Sequence, residues 1–410
     1  MDGALAWGGN SRIVSECPHP HLVERLGSRH NPLTVPTGRM AMKTAFGLVL
    51  IWILFAGCVT PAEAVCVGTS VNAFGASGDG HTDDTAAIQS AINAAASAGG
   101  GSVVFNVARY FTTGTFLVPA GVVLCGAIEG PFDVGFGVNP AQTVVAPTLL
   151  VTNTSATFIT LQGAGAGVTD LLFHYPNQAA ASASAPNVYP YTIQVTSPGT
   201  KVVRCLVTNA YNFLDIESGR VIAQDLFIGA FNIGVNIDHA YDHVTLRNLV
   251  HQVYWDLVQV QDPSWPQPID TWVQSHAIAL VVNRVDSLEV HDFNVFAHFT
   301  GMLLTDSPDT SQNPRCGYGT GSDIDLDSMV NGIIVTASNS AGYEFTNLVA
   351  GGGGSVVAQA AVQLRAGGSI PPNVLVNGGS VGSGSFAVGP FPTPPAGNLS
   401  AVNVVGYNIP

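Results

Sequence analysis

Positive charge is nearly missing from this chain. Beyond residue 64 the only lysine is Lys201, and residues 65–410 hold 8 Lys and Arg against 23 Asp and Glu, the whole chain's 13 and 27 less the 5 and 4 that come earlier. Charged residues of all kinds make up 10%, where soluble domains usually carry about 25%. A chain this acidic, with no basic stripe, excludes nucleic acid as its partner, because phosphate binding draws on clustered Lys and Arg. Long apolar runs are missing as well. After residue 65 none extends for the roughly 18 residues of a membrane-spanning helix, so the mature protein is expected not to span a membrane. Tryptophan is scarce, and the three beyond residue 64 fall close together, at Trp255, Trp265 and Trp272. Glycine is plentiful at 46 residues, as a fold of short strands and tight turns requires.

The first 64 residues read as removable. Residues 1–41 show no periodicity and look like an upstream extension. Met42-Lys43, an apolar run from Phe46 to Phe55 and Ala62-Glu63-Ala64 then form the three parts of a signal peptide, residues 42–64,. Cleavage would leave Val65 first and deliver the chain outside the cytoplasm, secreted or periplasmic. A lipid anchor at Cys58 is the weaker reading, since Phe55 stands where Leu is usual. Cys66, Cys125, Cys205 and Cys316 would then meet an oxidising compartment,. Three pairings are open, with Cys66–Cys125 favoured and Cys205 expected as a buried free thiol.

Residues 201–261 repeat. Leu214-Asp215-Ile216 is followed by Val235-Asn236-Ile237 and then by Val258-Gln259-Val260, each preceded by a second short run beginning near Val202, Val221 and Val244. Runs of three to five residues that alternate with period two, recurring at about twenty-odd residues, mark stacked coils of strand rather than helical repeats. The expected fold is all-β, a single-domain parallel β-helix over residues 65–410. Small or polar turn residues separate the runs: Cys205, Asp225 and Asn248, continued by Asp170, Asp292, Ser328 and Asn347. Stacked turn residues of this kind hydrogen-bond from coil to coil, so these aspartates are read as structural. Ile88, Ala91, Ile92 and Ala95 form an apolar stripe at helical spacing,. Thr82–Thr85 supply N-caps and Gly99 a stop, so one helix is expected to cover the open first coil.

Phe74-Gly-Ala-Ser-Gly-Asp-Gly-His-Thr-Asp-Asp-Thr-Ala-Ala-Ile-Gln-Ser-Ala-Ile92, then Gly99-Gly-Gly101, a Val103-Val-Phe105 strand and Val122-Val-Leu-Cys-Gly126, resembles the opening of the pectate-lyase superfamily. More narrowly, residues 68–126 resemble the rhamnogalacturonase/epimerase-like pectate lyase domain, related to family 28 glycoside hydrolases and to phage tailspikes. The resemblance implies a right-handed β-helix with an N-terminal capping helix, acting on polysaccharide. It transfers no catalytic residue. The N-T-D, D-D, G-H-G and R-I-K motifs of family 28 do not occur in that order, and Asn236-Ile237-Asp238 is the nearest fragment.

Candidate chemistry therefore rests on coil register. In each triplet the middle residue points outward, which sets Asp215, Asn236 and Gln259 in one row, with Glu217 and Asp238 beside it. Neighbouring coils place side chains ~4.8 Å apart and i,i+2 neighbours ~6.6 Å. Carboxyl pairs at ~5–5.5 Å suit a retaining glycosidase and pairs at ~6.5–9.5 Å an inverting one. Asp215, Glu217 and Asp238 are the candidate acids. Trp255, Trp265 and Trp272 would stack on sugar rings, with Asn236, Gln259, His239, His251 and Asp256 binding the substrate. The alternative chemistry is β-elimination of a uronate, with Arg247 as base or carboxylate clamp, in register with Arg204 and with Gln224 between them. No metal site and no cofactor are expected for hydrolysis, whereas a lyase would use calcium held by the aspartates. A non-catalytic glycan-binding or structural solenoid is the rival function, favoured by the low charge and the Gly-rich C-terminal third. The sequence sets no oligomeric state.

Overall fold

The computed structural model describes residues 66–128, 146–179, 182–252, 268–351, 360–365, 367–381, 386–390 and 402–408. Their strands wind into a right-handed parallel β-helix in which every paired strand is parallel. Each full coil contributes to three sheets. Sheet I runs from Thr69–Ser70 through Gly101–Phe105, Val122–Gly126 and 201–203 to 288–291, 319–322, 343–346 and 374–377. Sheet II runs through Arg109–Thr112, Thr148–Val151 and Leu172–His174 to 206–208, 226–228, 249–252 and 293–296. Sheet III takes Phe116–Val118, Ile159–Leu161, Tyr191–Val195, 212–216, 233–237, Ile278–Val282, Thr300–Leu304, Asn331–Val335 and Ala360–Leu364.

The interior is a set of aliphatic ladders. In sheet III, Leu214, Val235, Leu280, Met302, Ile333 and Val362 lie in one row and are all fully or almost fully buried. Burial of each such side chain is worth about 1.5–3 kcal/mol, repeated at every coil, so the register is fixed by the ladder itself. Aromatic residues fill the wider early coils: Phe116, Phe158, Phe173 and Phe213 follow one another at centroid distances of 5.2, 6.3 and 6.5 Å.

The first coil is covered as its sequence requires. Helix α1 (Thr85–Ser97) buries Ile88, Ala91, Ile92 and Ala95, and the chain turns away at Gly99 with φ 94°. Its capping differs in one respect. Asp83 accepts from the Thr85 amide and hydroxyl, but the buried Asp84 accepts instead from the amides of Ser77 and Gly78. The acidic pair thus serves two ends: one carboxylate holds the helix start, the other pins the glycine-rich loop before it. A Cys66–Cys125 disulfide ties the first strand to the third coil, while Cys205 and Cys316 are free and buried. Among the described residues no helix is long and apolar enough to cross a membrane.

The corner between sheets I and II is a one-residue turn in the left-handed region, stacked along the solenoid at Asp170, Arg204, Asp225, Asn248, Asp292, Asp323 and Asn347, all with φ between 50° and 61°. Two members of the expected row change. Arg204, not Cys205, takes the turn, and Cys205 falls one residue later with its thiol inside. Asp323 replaces Ser328, which belongs to the next corner beside Ala297. Side chains link the stack: Arg204 binds Asp170 with two nitrogens at 2.6 and 2.7 Å, Asn248 donates to Asp225 at 2.8 Å, and Asn347 donates to Asp323 at 2.7 Å. A β-branched residue is strained in this conformation by about 1–2 kcal/mol. Asp225→Val is therefore expected to be less stable than Asp225→Gly by about that amount, both having lost the same side-chain bonds, as measured by urea titration.

A second difference lies after sheet II. Residues 262–276 read as a loop, but Pro268–His276 is helix α2, with Ile269 and Val273 packed on Phe231 and Ala277. Pro268 suits the first helical position, and Ile269 and Val273 are spaced to share one face. The preceding residues, 253–267, lie outside the described part.

Candidate active site

Asp215 and Asn236 stand in one row of sheet III, as the register requires, and Asn236 donates to Asp215 Oδ1 at 2.8 Å. Gln194, one coil earlier, donates to Asp215 Oδ2 at 2.9 Å. The row does not continue to Gln259. Its next member is Val281, because the coil after Val235–Ile237 re-enters sheet III at Ile278. The regular spacing that points to Gln259 is interrupted by the inserted segment and α2. Gln259, Trp255, Trp265 and Asp256 themselves lie outside the described residues.

The strand ends of sheet III turn into the corner before sheet I, where Glu217 and Asp238 lie side by side. These two neighbours differ sharply in surroundings. The Asp238 side chain is only 5% exposed. Its Oδ2 accepts from Ser307 Oγ at 2.7 Å, and its Oδ1 accepts from the His239 amide, the Arg284 amide and Gln312 Nε2 at 2.8, 3.3 and 3.3 Å. Asp215 is likewise buried under its two amide donors. Both were expected to face solvent, and neither does, because a corner loop over 305–318 and the flanking side chains close over them.

The accessible chemistry belongs to Glu217, His239 and Asp309, whose side chains are 26%, 34% and 38% exposed. His239 takes a left-handed backbone conformation, φ 48°, and its ring lies between the two carboxylates. Nδ1 is 2.6 Å from Glu217 Oε2 and Nε2 is 3.1 Å from Asp309 Oδ2. Contact with Asp309, then with Glu217, raises the His239 pKa, against the opposing effect of burial. Burial, and then the neighbouring Asp215 charge, push Glu217 up to about 7, against the opposing pull of His239. Asp309 is held down to about 2 by the Ser311 hydroxyl and amide and then by His239.

Sequence reasoning missed Asp309, Ser307 and Gln312. They belong to a stretch without period, and the bonds that recruit them join residues 69 to 74 positions apart. The one local signal is the Asp309-Thr310-Ser311 turn, where Asp309 Oδ1 accepts from the Ser311 amide and hydroxyl.

Other candidates fall elsewhere. Arg247 is exposed on sheet I in one row with Gln224 and His291, away from the sheet III acids. Arg204 is not in that row, since Val203 pairs with Gln224, and its guanidinium is committed to Asp170. His251 is completely buried against Phe293 and His298, and burial lowers its pKa well below the ordinary value. It is a core residue and cannot meet a substrate. Trp272 stands on α2, stacked on His276 at 4.3 Å and 6.1 Å from the Tyr211 ring. Tyr211 precedes Asp215 by four residues on one strand, which spans roughly 13 Å, so Trp272 and the acids flank opposite margins of sheet III. Among the described residues no group of three or more His, Cys, Asp or Glu is arranged to hold a metal ion.

Residues 68–254, which carry Glu217 and His239, match the family described as rhamnogalacturonase A/epimerase, pectate lyase-like. The match takes in the first coils with Asp215, Glu217 and Asp238, and it stops before Ser307 and Asp309. No curated protein matches the chain in sequence. Among solved structures, the A-module of the Azotobacter vinelandii mannuronan C-5 epimerase AlgE4 is 16% identical with TM-score 0.49, over 83% of this chain and 97% of that one. A hyperthermoactive exopolygalacturonase from Thermotoga maritima is 10% identical with TM-score 0.49, over 83% and 91%. A tailspike protein of E. coli bacteriophage HK620, in complex with a pentasaccharide, is 11% identical with TM-score 0.45, over 80% and 63%.

Proposed function

We propose that this protein is an exported polysaccharide-cleaving enzyme in which Glu217 transfers the proton. The observation that carries the reading is the corner constellation: a partly exposed carboxyl near neutrality, bound on one oxygen by His239, which Asp309 orients in turn. A general acid works best with a pKa near the working pH, and a neutral Glu217 can protonate a departing glycosidic oxygen. Asp215 and Asp238 act through their neighbours rather than on the substrate, the first keeping Glu217 protonated by its charge and the second holding the loop that brings Asp309. Hydrolysis is favoured over β-elimination because the guanidiniums of this corner are spent: Arg284 on Asp286 through two bonds, and Arg315 on the Ser307 carbonyl. Elimination would instead need a free cation at the uronate carboxylate. The Cys66–Cys125 disulfide supports export, since such bridges persist outside the reducing cytoplasm,.

The test incubates the protein from Val65 onward with plant and bacterial polysaccharides, with and without calcium, following reducing ends together with the ultraviolet absorbance of an unsaturated uronate. New ends without absorbance support hydrolysis. New ends with absorbance would replace it by elimination. Retention of glycan without any cleavage would leave the non-catalytic solenoid as the function.

A further inference from the structure

The corner loop that delivers Asp309 has a second side. Its last residue, Tyr318, forms part of a groove of about 520 Å³ that crosses four successive coils where they enter sheet I. The walls are Ser287-Leu288-Glu289, Tyr318-Gly319-Thr320, Ala341 to Glu344, and Asn373-Val374-Leu375. Glu289, Thr320, Glu344 and Leu375 form one row across it by strand register, so Glu289 and Glu344 stand two coils apart, roughly 10 Å.

The groups here are unspent, unlike those at Asp238. The side chains of Thr320 and Glu344 are exposed and make no hydrogen bond or ion pair among the described residues. Glu289 meets only the ring nitrogens of His243 and His291, at 3.6 and 3.9 Å. Beneath this row Leu288, Tyr343 and Val374 belong to the buried interior and form the floor of the groove. A concave site of several hundred Å³ with a few convergent polar groups beside aromatic and aliphatic surface is the usual form of a small-molecule or oligosaccharide site.

We infer that this groove is a second glycan-binding site, separate from the Glu217 corner, that takes a segment of neutral polysaccharide. Carboxylates, hydroxyls and the Asn373 amide accept from and donate to sugar hydroxyls, while Tyr318 and Leu375 offer apolar surface to ring faces. Two carboxylates and no basic residue in the lining repel polyuronate. Coil spacing sets Glu289, Thr320 and Glu344 in line along the solenoid, which suits an extended chain. The site serves to hold polymer, and it stands whether or not Glu217 is catalytic.

Affinity electrophoresis in native gels tests it, using galactomannan and xyloglucan as neutral probes and polygalacturonate as the anionic comparison. Wild type is expected to be retarded by a neutral polysaccharide. Thr320→Trp, which fills the groove from an exposed position, and Glu344→Gln should each weaken that retardation at least tenfold, with unchanged thermal unfolding and unchanged cleavage of short soluble oligosaccharides if Glu217 is catalytic. Retardation equal in wild type and both variants would overturn the site. So would no retardation by either neutral probe, or retardation by polygalacturonate alone.

Discussion

Glu217→Gln is expected to lower kcat on a cleaved polysaccharide by about 10²–10⁴-fold, the range contributed by one positioned proton donor. Gln fills the same space and still accepts from His239 on its carbonyl oxygen, so the corner keeps its shape while the transferable proton is gone. Wild-type kcat/KM should fall as pH rises through about 7, where Glu217 ionises. The direction follows from the acid being active only when protonated. Stability carries the opposite signature. A carboxyl whose folded pKa lies above its ordinary 4.5 favours the fold below 4.5 and loses that contribution as pH rises through about 7,. Glu217→Gln should therefore be more stable than wild type above pH 7 and no more stable below 4.5. Loss of activity with gain of alkaline stability separates a catalytic carboxyl from a structural one.

Asp238→Ala is expected to act through the loop. Removing this buried carboxylate leaves the Ser307 hydroxyl and the backbone amides of His239 and Arg284 without their acceptor, while Gln312 keeps only its bond to Ser307 Oγ. Stranded donors in a buried network cost about 1–3 kcal/mol each before relaxation, and a loss of about 4 kcal/mol is expected where the loop can partly swing out. That swing has its own readout. Arg315 now binds the Ser307 carbonyl and Asp306, so a released loop exposes it to trypsin. Limited proteolysis should cut Asp238→Ala rapidly after Arg315 and wild type slowly. Equal cutting of both would mean that Asp238 does not hold the loop.

These two outcomes also divide what could be read in the sequence from what could not. The β-helix was legible because its forces are local and repeated: the Leu214–Ile216 and Val235–Ile237 triplets obey one period, and the α1 stripe obeys another. The adjacency of Glu217 and Asp238 follows from the same register. Register says nothing about cover, however. Asp215 and Asp238 stand where outward residues stand, yet amides and a distant loop enclose them, and the contacts responsible join coils far apart in sequence. His251 fails for a related reason. As a polar residue in an apolar run it reads as exposed, whereas sheet II needs an inward side chain there and the interior takes the imidazole neutral. Gln259 shows the limit of counting a period through an insertion, since α2 displaces the next sheet III strand by some twenty residues and puts Val281 in its place.

The most direct measurement on the proposed chemistry needs no substrate. Carbon-13 NMR of the Glu217 carboxyl, assigned by its disappearance in Glu217→Gln, reads its protonation across pH. The account predicts a half-point near 7, shifted downward when Asp215→Asn removes the adjacent charge. A half-point near the ordinary 4.5 in the folded wild type would leave Glu217 ionised at neutral pH and contradict its role as the acid.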